Sequence, residues 1–356
     1  METSTILIGL AGILAAAAPV IFATVGETIT ERSGVINLSV NGTILLTAMA
    51  GFAVAVTTQD YFTVIFENQN LPPDRVETLA ANLSLFFGFL VGMVVGGLVA
   101  AVIAFSSISL RQSQVAVGFV LTLVCRDLAY FLGNPYMGLS GPRLPSWTIP
   151  GLSQIPVIGT IFFRQDLMTY LSYAIIILAW LWIFKTRPGL VLQGVGERPA
   201  AAFVRGSNVN RLRYLYTIIG GALVGLAGPI YSLSVKAGWK GTISGLDGIG
   251  WIALAITIFG GWNPLRAAFG AYLFVLLQWL GLVLQPSLPG IPSQVLQVAP
   301  FPLMILALLL VNIGNTEWVD RILANLPEST RRFIARLLRS LRASPPASLG
   351  VPFEQE

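Results

Sequence analysis

Histidine is absent from this 356-residue chain, and cysteine occurs once. Without histidine there is no imidazole proton relay and no imidazole metal ligand near neutral pH. The lone Cys125 sits in an apolar run, so no disulfide can form within the chain, and it reads as a small buried hydrophobe. Charge is scarce: 10% of residues are Asp, Glu, Lys or Arg, where a soluble domain carries about 25%. No acidic or thiol cluster has metal-ligand spacing. No paired carboxylates suggest an interfacial enzyme. The pattern G-x-x-x-x-G-K-[ST] is missing, and Gly238-Trp239-Lys240-Gly241-Thr242 lacks its spacing. The chain therefore has no P-loop and is not expected to hydrolyse ATP or to hold a metal or cofactor of its own.

What is abundant is apolar surface. Hydrophobic residues make up 55% of the chain and mean hydropathy is +0.77. In water so much apolar area has nowhere to go, so the solvent is lipid. The expected class is an all-α polytopic membrane protein. A crossing needs roughly 20 mostly apolar residues. The runs 5–25, 36–57, 82–106, 114–132, 167–184, 214–234, 248–262, 265–285 and 296–313 meet this or come near it. The predicted count is nine, with eight to ten allowed. The seventh run is short, with glycines at its ends. The first has no basic residues before it and is longer than a signal-peptide core, so it reads as a retained helix.

Lysine and arginine set the sidedness. Residues 185–213 carry Lys185, Arg187, Arg198, Arg205, Arg211 and Arg213 against the single acid Glu197. That connection is expected in the cytoplasm. The end of the chain, with Arg321, Arg331, Arg332, Arg336, Arg339 and Arg342, is expected there too. Residues 58–81 hold four acids and only Arg75, which suits the outside. With charge so sparse, the net +5 is a topology signal and not a nucleic-acid footprint. The proline-rich connection 133–166 reads as either a structured cap over the outer mouth or a spacer. The expected organisation is a transmembrane domain over 1–316, a basic amphipathic helix on anionic lipid over 317–342, and a disordered tail over 343–356.

Two polar interruptions carry the functional reading. Glu31-Arg32-Ser33-Gly34-Val35-Ile36-Asn37-Leu38-Ser39-Val40-Asn41-Gly42 separates two apolar runs without a solvated loop. Irregular polar backbone at membrane depth is tolerated where protein or a water-filled cavity satisfies it, and transporters build sites there. Asn37, Ser39, Asn41, Gly34 and Gly42 are the candidate path residues. The other interruption lies in the basic connection. Glu197 stands at a helix start, Pro199 fits a first turn, Ala200, Ala201 and Ala202 follow, and Gly206 closes it. Two turns of helix are not stable alone in water, so this one needs support from the membrane surface or a partner. Glu197, Arg198, Pro199, Ala200, Ala201 and Phe203 are the candidate docking residues. A third region, 245–265, is rich in small residues that favour close helix contact, and Asn263-Pro264 forces a turn. Arg126 and Asp127, within the fourth run, read as anchors toward its outer end. No acid is expected at the centre of any span.

At these places the chain resembles the permease subunits of bacterial ATP-binding-cassette importers in the ribose/branched-chain-amino-acid permease superfamily, nucleoside and simple-sugar branch. Residues 26–42 are similar to G-E-x-x-x-E-R-(A/S)-G-V-x-N-(I/L)-G-x-E-G, and residues 250–265 to G-(F/W)-I-A-L-A-x-x-I-F-G-x-W-N-P-L. Gly196–Ala202 resembles the coupling segment. The chain departs at Ser39 and Asn41, where that pattern commonly has Gly and Glu. The resemblance implies a type II importer permease in the bacterial inner membrane with its C-terminus cytoplasmic. It also implies separate ATPase subunits that use ATP, a second permease subunit, with a heterodimer favoured, and an extracytoplasmic substrate-binding protein. The solute would be a nucleoside, simple sugar or related small polar molecule. The alternative is a secondary transporter or facilitator without ATPase partners.

Overall fold

The computed structural model describes residues 3–69, 71–287 and 344–354, with isolated positions between 290 and 306. Helix dominates. In chain order the elements are α1 (Thr3–Arg32), α2 (Val40–Glu67), α3 (Pro73–Ala104), α4 (Gln114–Gly133), β1 (Ser146–Thr148), α5 (Ile158–Phe162) and β2 (Arg164–Asp166). There follow α6 (Leu167–Lys185), α7 (Arg187–Glu197), α8 (Pro199–Val204), α9 (Val209–Ile230), α10 (Ile249–Phe259) and α11 (Pro264–Leu284). Among the described residues seven helices are long and apolar enough to cross a membrane, and Ile249–Phe259 is a shorter apolar one. These account for the first eight predicted runs. The ninth, 296–313, and the basic helix over 317–342 lie outside the described residues.

The centre is built from α1, α2, α3 and α9. In lipid, apolar area gives helices no reason to associate, so close backbone approach has to do so. The α3–α9 seam shows this: a Cβ placed on Gly96 would lie 2.5 Å from Cα of Gly225. Pro229 on α9 fills the notch left by Gly51 on α2 and Gly92 on α3. By contrast α4 shows Phe119, Val120, Leu123 and Phe131 at the surface, and only 22% of its apolar window is buried. An outer surface this apolar faces lipid or another membrane chain.

Local chemistry starts the helices where capping rules place them. Asp166 Oδ1 accepts from Thr169 N at 2.9 Å, Asn208 Oδ1 from Arg211 N at 3.0 Å, and Asn263 Oδ1 from Leu265 N at 3.0 Å. The 133–166 connection is folded. β1 pairs antiparallel with β2, Ser146 opposite Asp166, and Gln165 Nε2 donates to Ala11 O at 3.0 Å. Leu144 N donates to Leu233 O at 2.9 Å, and Ser234 Oγ to Asp166 at 2.7 Å. The connection is thus a cap fastened to α1 and the end of α9, not a spacer.

Two expectations change. Helix α1 runs on to Arg32, past the expected end at Val25, and takes Glu27 and Glu31 inside a span with 0% and 3% exposure. The end of the chain also differs from the disordered tail expected. Residues 344–354 lie against the end of the bundle that carries the basic connection, hereafter the basic end. There Ser348 N donates to Gly196 O at 2.9 Å and Gly350 N to Gly34 O at 3.0 Å.

Candidate functional site

The break between α1 and α2 begins at the basic end and climbs into the bundle. At its foot Arg32 Nε donates to Trp262 O at 3.1 Å, and its guanidinium lies 5.2 Å from the Phe184 ring centroid. Trp262 Nε1 donates to Glu31 Oε2. Trp262 sits at φ 52°, the left-handed region that a bulky residue leaves unless neighbours hold it. The Glu31 and Arg32 bonds supply that hold, which is why this acid and base stand at the end of α1.

Above this foot, Ile36 N donates to Gln114 Oε1 at 2.7 Å and Thr122 Oγ1 to Leu38 O at 2.6 Å. A Cβ on Gly118 would lie 2.9 Å from Leu38 N, and one on Gly42 would overlap the Thr122 backbone. Residues 36–42 therefore run beside positions 114–122 of α4. The second of these lies about 12 Å along that helix at 1.5 Å per residue. The upper part of the break therefore lies alongside α4 within the bundle, not at its end.

Its polar atoms are spent internally. Asn37 Oδ1 accepts from Ser39 N at 3.1 Å and Ser39 Oγ at 2.7 Å, while Asn37 N donates to Glu27 Oε1 at 3.3 Å. Asn37, Ser39 and Asn41 are each at most 2% exposed. Gly34 is closed in by Arg213 and Ser348, and Gly42 by Thr122. Of the five candidate path residues, only Asn41 leads out of the packed junction. Its Oδ1 accepts from Gly248 N at 2.9 Å and Gly250 N at 3.2 Å, and its Nδ2 donates to Asp247 at 2.8 Å. Asn41 thus caps the start of α10 from another helix. The N-termini of α2 and α10 converge on it, and their positive ends favour the Asp247 carboxylate beside them. Gly250 is required by this contact, because a Cβ there would overlap the Asn41 backbone.

Asp247 is the charged residue of this region that sequence reading missed. It forms an ion pair with Arg126 at 2.9 Å and accepts from Tyr130 at 3.3 Å. Arg126 lies 5.7 Å from the Tyr130 ring centroid, and Tyr130 packs on the buried Trp239 at 6.2 Å between centroids. Arg126 is thus engaged by Asp247 and Tyr130 within the chain. The pair is open: its side chains are 41% and 35% exposed. It stands about 18 Å along α4 from Gln114, by the helix rise, among exposed apolar side chains. A half-exposed ion pair at this depth is costly against hydrocarbon and normally faces a bundle interior or a water-filled cavity. No local signal marks Asp247, since it lies 121 positions along the chain from Arg126.

The docking residues stand apart from this. Helix α8 buries no side chain; Phe203 is 40% and Val204 85% exposed. Glu197, Arg198, Ala200 and Ala201 are exposed, and Pro199 is half-buried. They do lie together, as a short apolar ridge with Arg198 and Arg205 at its ends.

A third feature is a cleft of about 590 Å³ under the β1–β2 hairpin, with Arg143, Arg164 and Asp166 in its wall. Asp166 there is engaged by Thr169 and Ser234. Among the described residues no group of three or more His, Cys, Asp or Glu is placed to hold a metal.

Spans packed through small residues, a break with two helix N-termini within the bundle and a short exposed helix at one end define a transport protein of the membrane. Comparison with known proteins agrees. The family described as branched-chain amino acid transport system / permease component matches residues 9–312. The chain belongs to this permease family. It is 33% identical over 316 residues to nucleoside ABC transporter permease protein NupC of Lactococcus lactis subsp. cremoris, covering 86% of this chain and 93% of that one. It is 33% identical over 300 residues to guanosine ABC transporter permease protein NupQ of Bacillus subtilis, covering 82% and 88%. It is 25% identical over 335 residues to glucose ABC transporter permease protein TsgB13 of Haloferax volcanii, covering 90% and 80%. No solved structure matches the chain.

Proposed function

We propose that this chain is the membrane-spanning permease subunit of an ATP-driven importer in the bacterial plasma membrane. Its solute is a nucleoside, a simple sugar or a related neutral polar molecule. Two such subunits, here read as a heterodimer, enclose the path. Separate ATPase subunits bind the basic end, which is cytoplasmic with the C-terminus, and a substrate-binding protein docks on the hairpin end. The relatives supporting the solute class act, by their names, on nucleosides, guanosine and glucose.

The observation that carries this reading is α8, a two-turn helix with an apolar ridge and no buried side chain. Such a helix is not stable by itself and presents itself to a partner. The path runs along the face of Arg126, Tyr130 and Asp247 and meets the break at Asn41. Asn37, Ser39, Gly34 and Gly42 shape the junction. When ATPase subunits close on α8, the movement reaches the break through Gly196, whose own backbone packs on Arg32 O. Only then does the junction between α2 and α10 change and the path open to the other side. This is alternating access driven by hydrolysis on another chain, consistent with the absent P-loop.

The test is reconstitution of the membrane complex, purified through this chain, into proteoliposomes. A co-purified P-loop ATPase and solute uptake that requires ATP are expected. Uptake by this chain without ATPase or ATP establishes the facilitator instead.

A further inference from the structure

The importer reading leaves open what holds α8, and the end of the chain supplies an answer. Residues 344–354 cross the basic end and touch the end of α7, α8, the start of α9 and the foot of the break. Ala347 N donates to Glu197 Oε2 at 3.2 Å, at the end of α7. Ser348 N and Oγ both donate to Gly196 O. Gly350 N donates to Gly34 O in the break, and a Cβ on Gly350 would lie 2.8 Å from Ile36. Arg213, at the start of α9, is 1% exposed; its guanidinium donates to Val351 O at 2.9 Å and Ser348 Oγ at 3.4 Å. Glu354 pairs with Arg111 at 2.6 Å. A buried guanidinium is costly without acceptors, so Arg213 fixes this segment as strongly as the segment satisfies Arg213.

The segment also extends the surface of α8. The Phe353 ring packs on Phe203, centroids 6.0 Å apart. Val351 is 52% exposed. Phe203 and Val204 of α8 and Val351 near the end of the chain are exposed, and the half-buried Phe353 joins the two segments through Phe203. Arg198 and Arg205 flank α8, Arg111 is paired with Glu354 and Glu197 adds an acid, so the surround carries an excess of one positive charge.

We propose that residues 344–354 form part of the ATPase-docking surface, and that their bonds to Gly196, Arg213 and Gly34 tie that surface to the membrane break. The inference rests on the importer reading. The occupant is the ATPase subunit, because the exposed apolar surface joins α8 and the excess of positive charge around it suits an acidic groove. A second copy of this chain and the lipid surface are the competing occupants. The C-terminal segment thus acts in two ways. It holds α8 in a fixed orientation, and it carries displacement of α8 to Gly34 without passing through α7.

Val351→Asp is the informative variant. Its side chain is at the surface, and only its carbonyl serves Arg213, so the strap bonds stay in place. The permease complex is co-expressed with its identified P-loop ATPase and captured through this chain. The expected result is at least tenfold less ATPase recovered with Val351→Asp, at unchanged membrane yield and thermal midpoint. Phe203→Ala and Phe353→Ala are expected to give losses that do not multiply in the double variant, since each ring supports the other. Wild-type ATPase recovery with Val351→Asp overturns the proposal. So does reduced pairing between permease chains, or reduced binding to anionic vesicles, with ATPase recovery unchanged. Failure of the wild-type chain itself to recover the ATPase overturns the importer reading beneath it, and is thereby distinguished.

Discussion

The break at Ser33–Ser39 and the helix at Pro199–Val204 look alike in sequence. Each is a short interruption between apolar runs, marked by glycine and a charged residue. The structure treats them in opposite ways. In the break every candidate residue is buried and its polar atoms are bonded within the chain. In α8 no side chain is buried. The difference follows from the solvent. Polar backbone at membrane depth must be satisfied internally, whereas a helix at the membrane surface can leave its ridge bare for a partner. On the importer reading, the break is the place where substitution should break folding, and α8 the place where it should break assembly.

The sharpest test of this contrast is Gly250→Val. The new side chain meets the Asn41 backbone and separates the starts of α2 and α10. Destabilisation of about 1–3 kcal/mol from overpacking, with transport abolished, is expected from thermal unfolding in detergent and from uptake assays. Next is Asp247→Asn, which leaves Arg126 without its counter-charge at membrane depth. Uptake should fall about tenfold or more while ATPase capture stays normal, since catalysis of movement and docking are separate. Arg126→Gln added to it should recover part of the loss. Val204→Asp should leave folding stability within about 0.5 kcal/mol of wild type, as for exposed sites, while ATPase recovery drops. A stability loss there would contradict the exposure of α8. Trp262→Phe removes the donor to Glu31 and should cost about 1–2 kcal/mol, the usual penalty for a buried acceptor left unpaired. The smallest effect is expected for Asn263→Ala, where loss of a helix cap costs about 1 kcal/mol.

Much of the fold was legible because apolar runs and caps are local. Eight of the nine predicted runs correspond to described helices. Asn263-Pro264 starts α11 as its chemistry requires. The position of the break and the short helix after Glu197 were also readable, since glycine, proline and alanine patterns act over a few residues. The site was less legible. Glu27 and Glu31 were expected outside a span, because acids usually mark its end; here Trp262 donates to Glu31 and Asn37 N to one oxygen of Glu27 within it. Arg126 read as an anchor because its partner Asp247 lies in a distant connection. The segment 344–354 read as disordered because its proline and serine content carries no periodicity, yet Arg213 and Gly196 give it a seat.

The amino-acid sequence by itself determined that this chain lives in lipid, where its helices run, and where they are interrupted. Hydropathy and capping need no distant contacts. Only the tertiary structure decided which interruption is buried, which acid meets Arg126, and what braces α8. Those outcomes depend on which polar group finds a partner once remote segments are brought together, and a polar group's position in the chain does not reveal that partner.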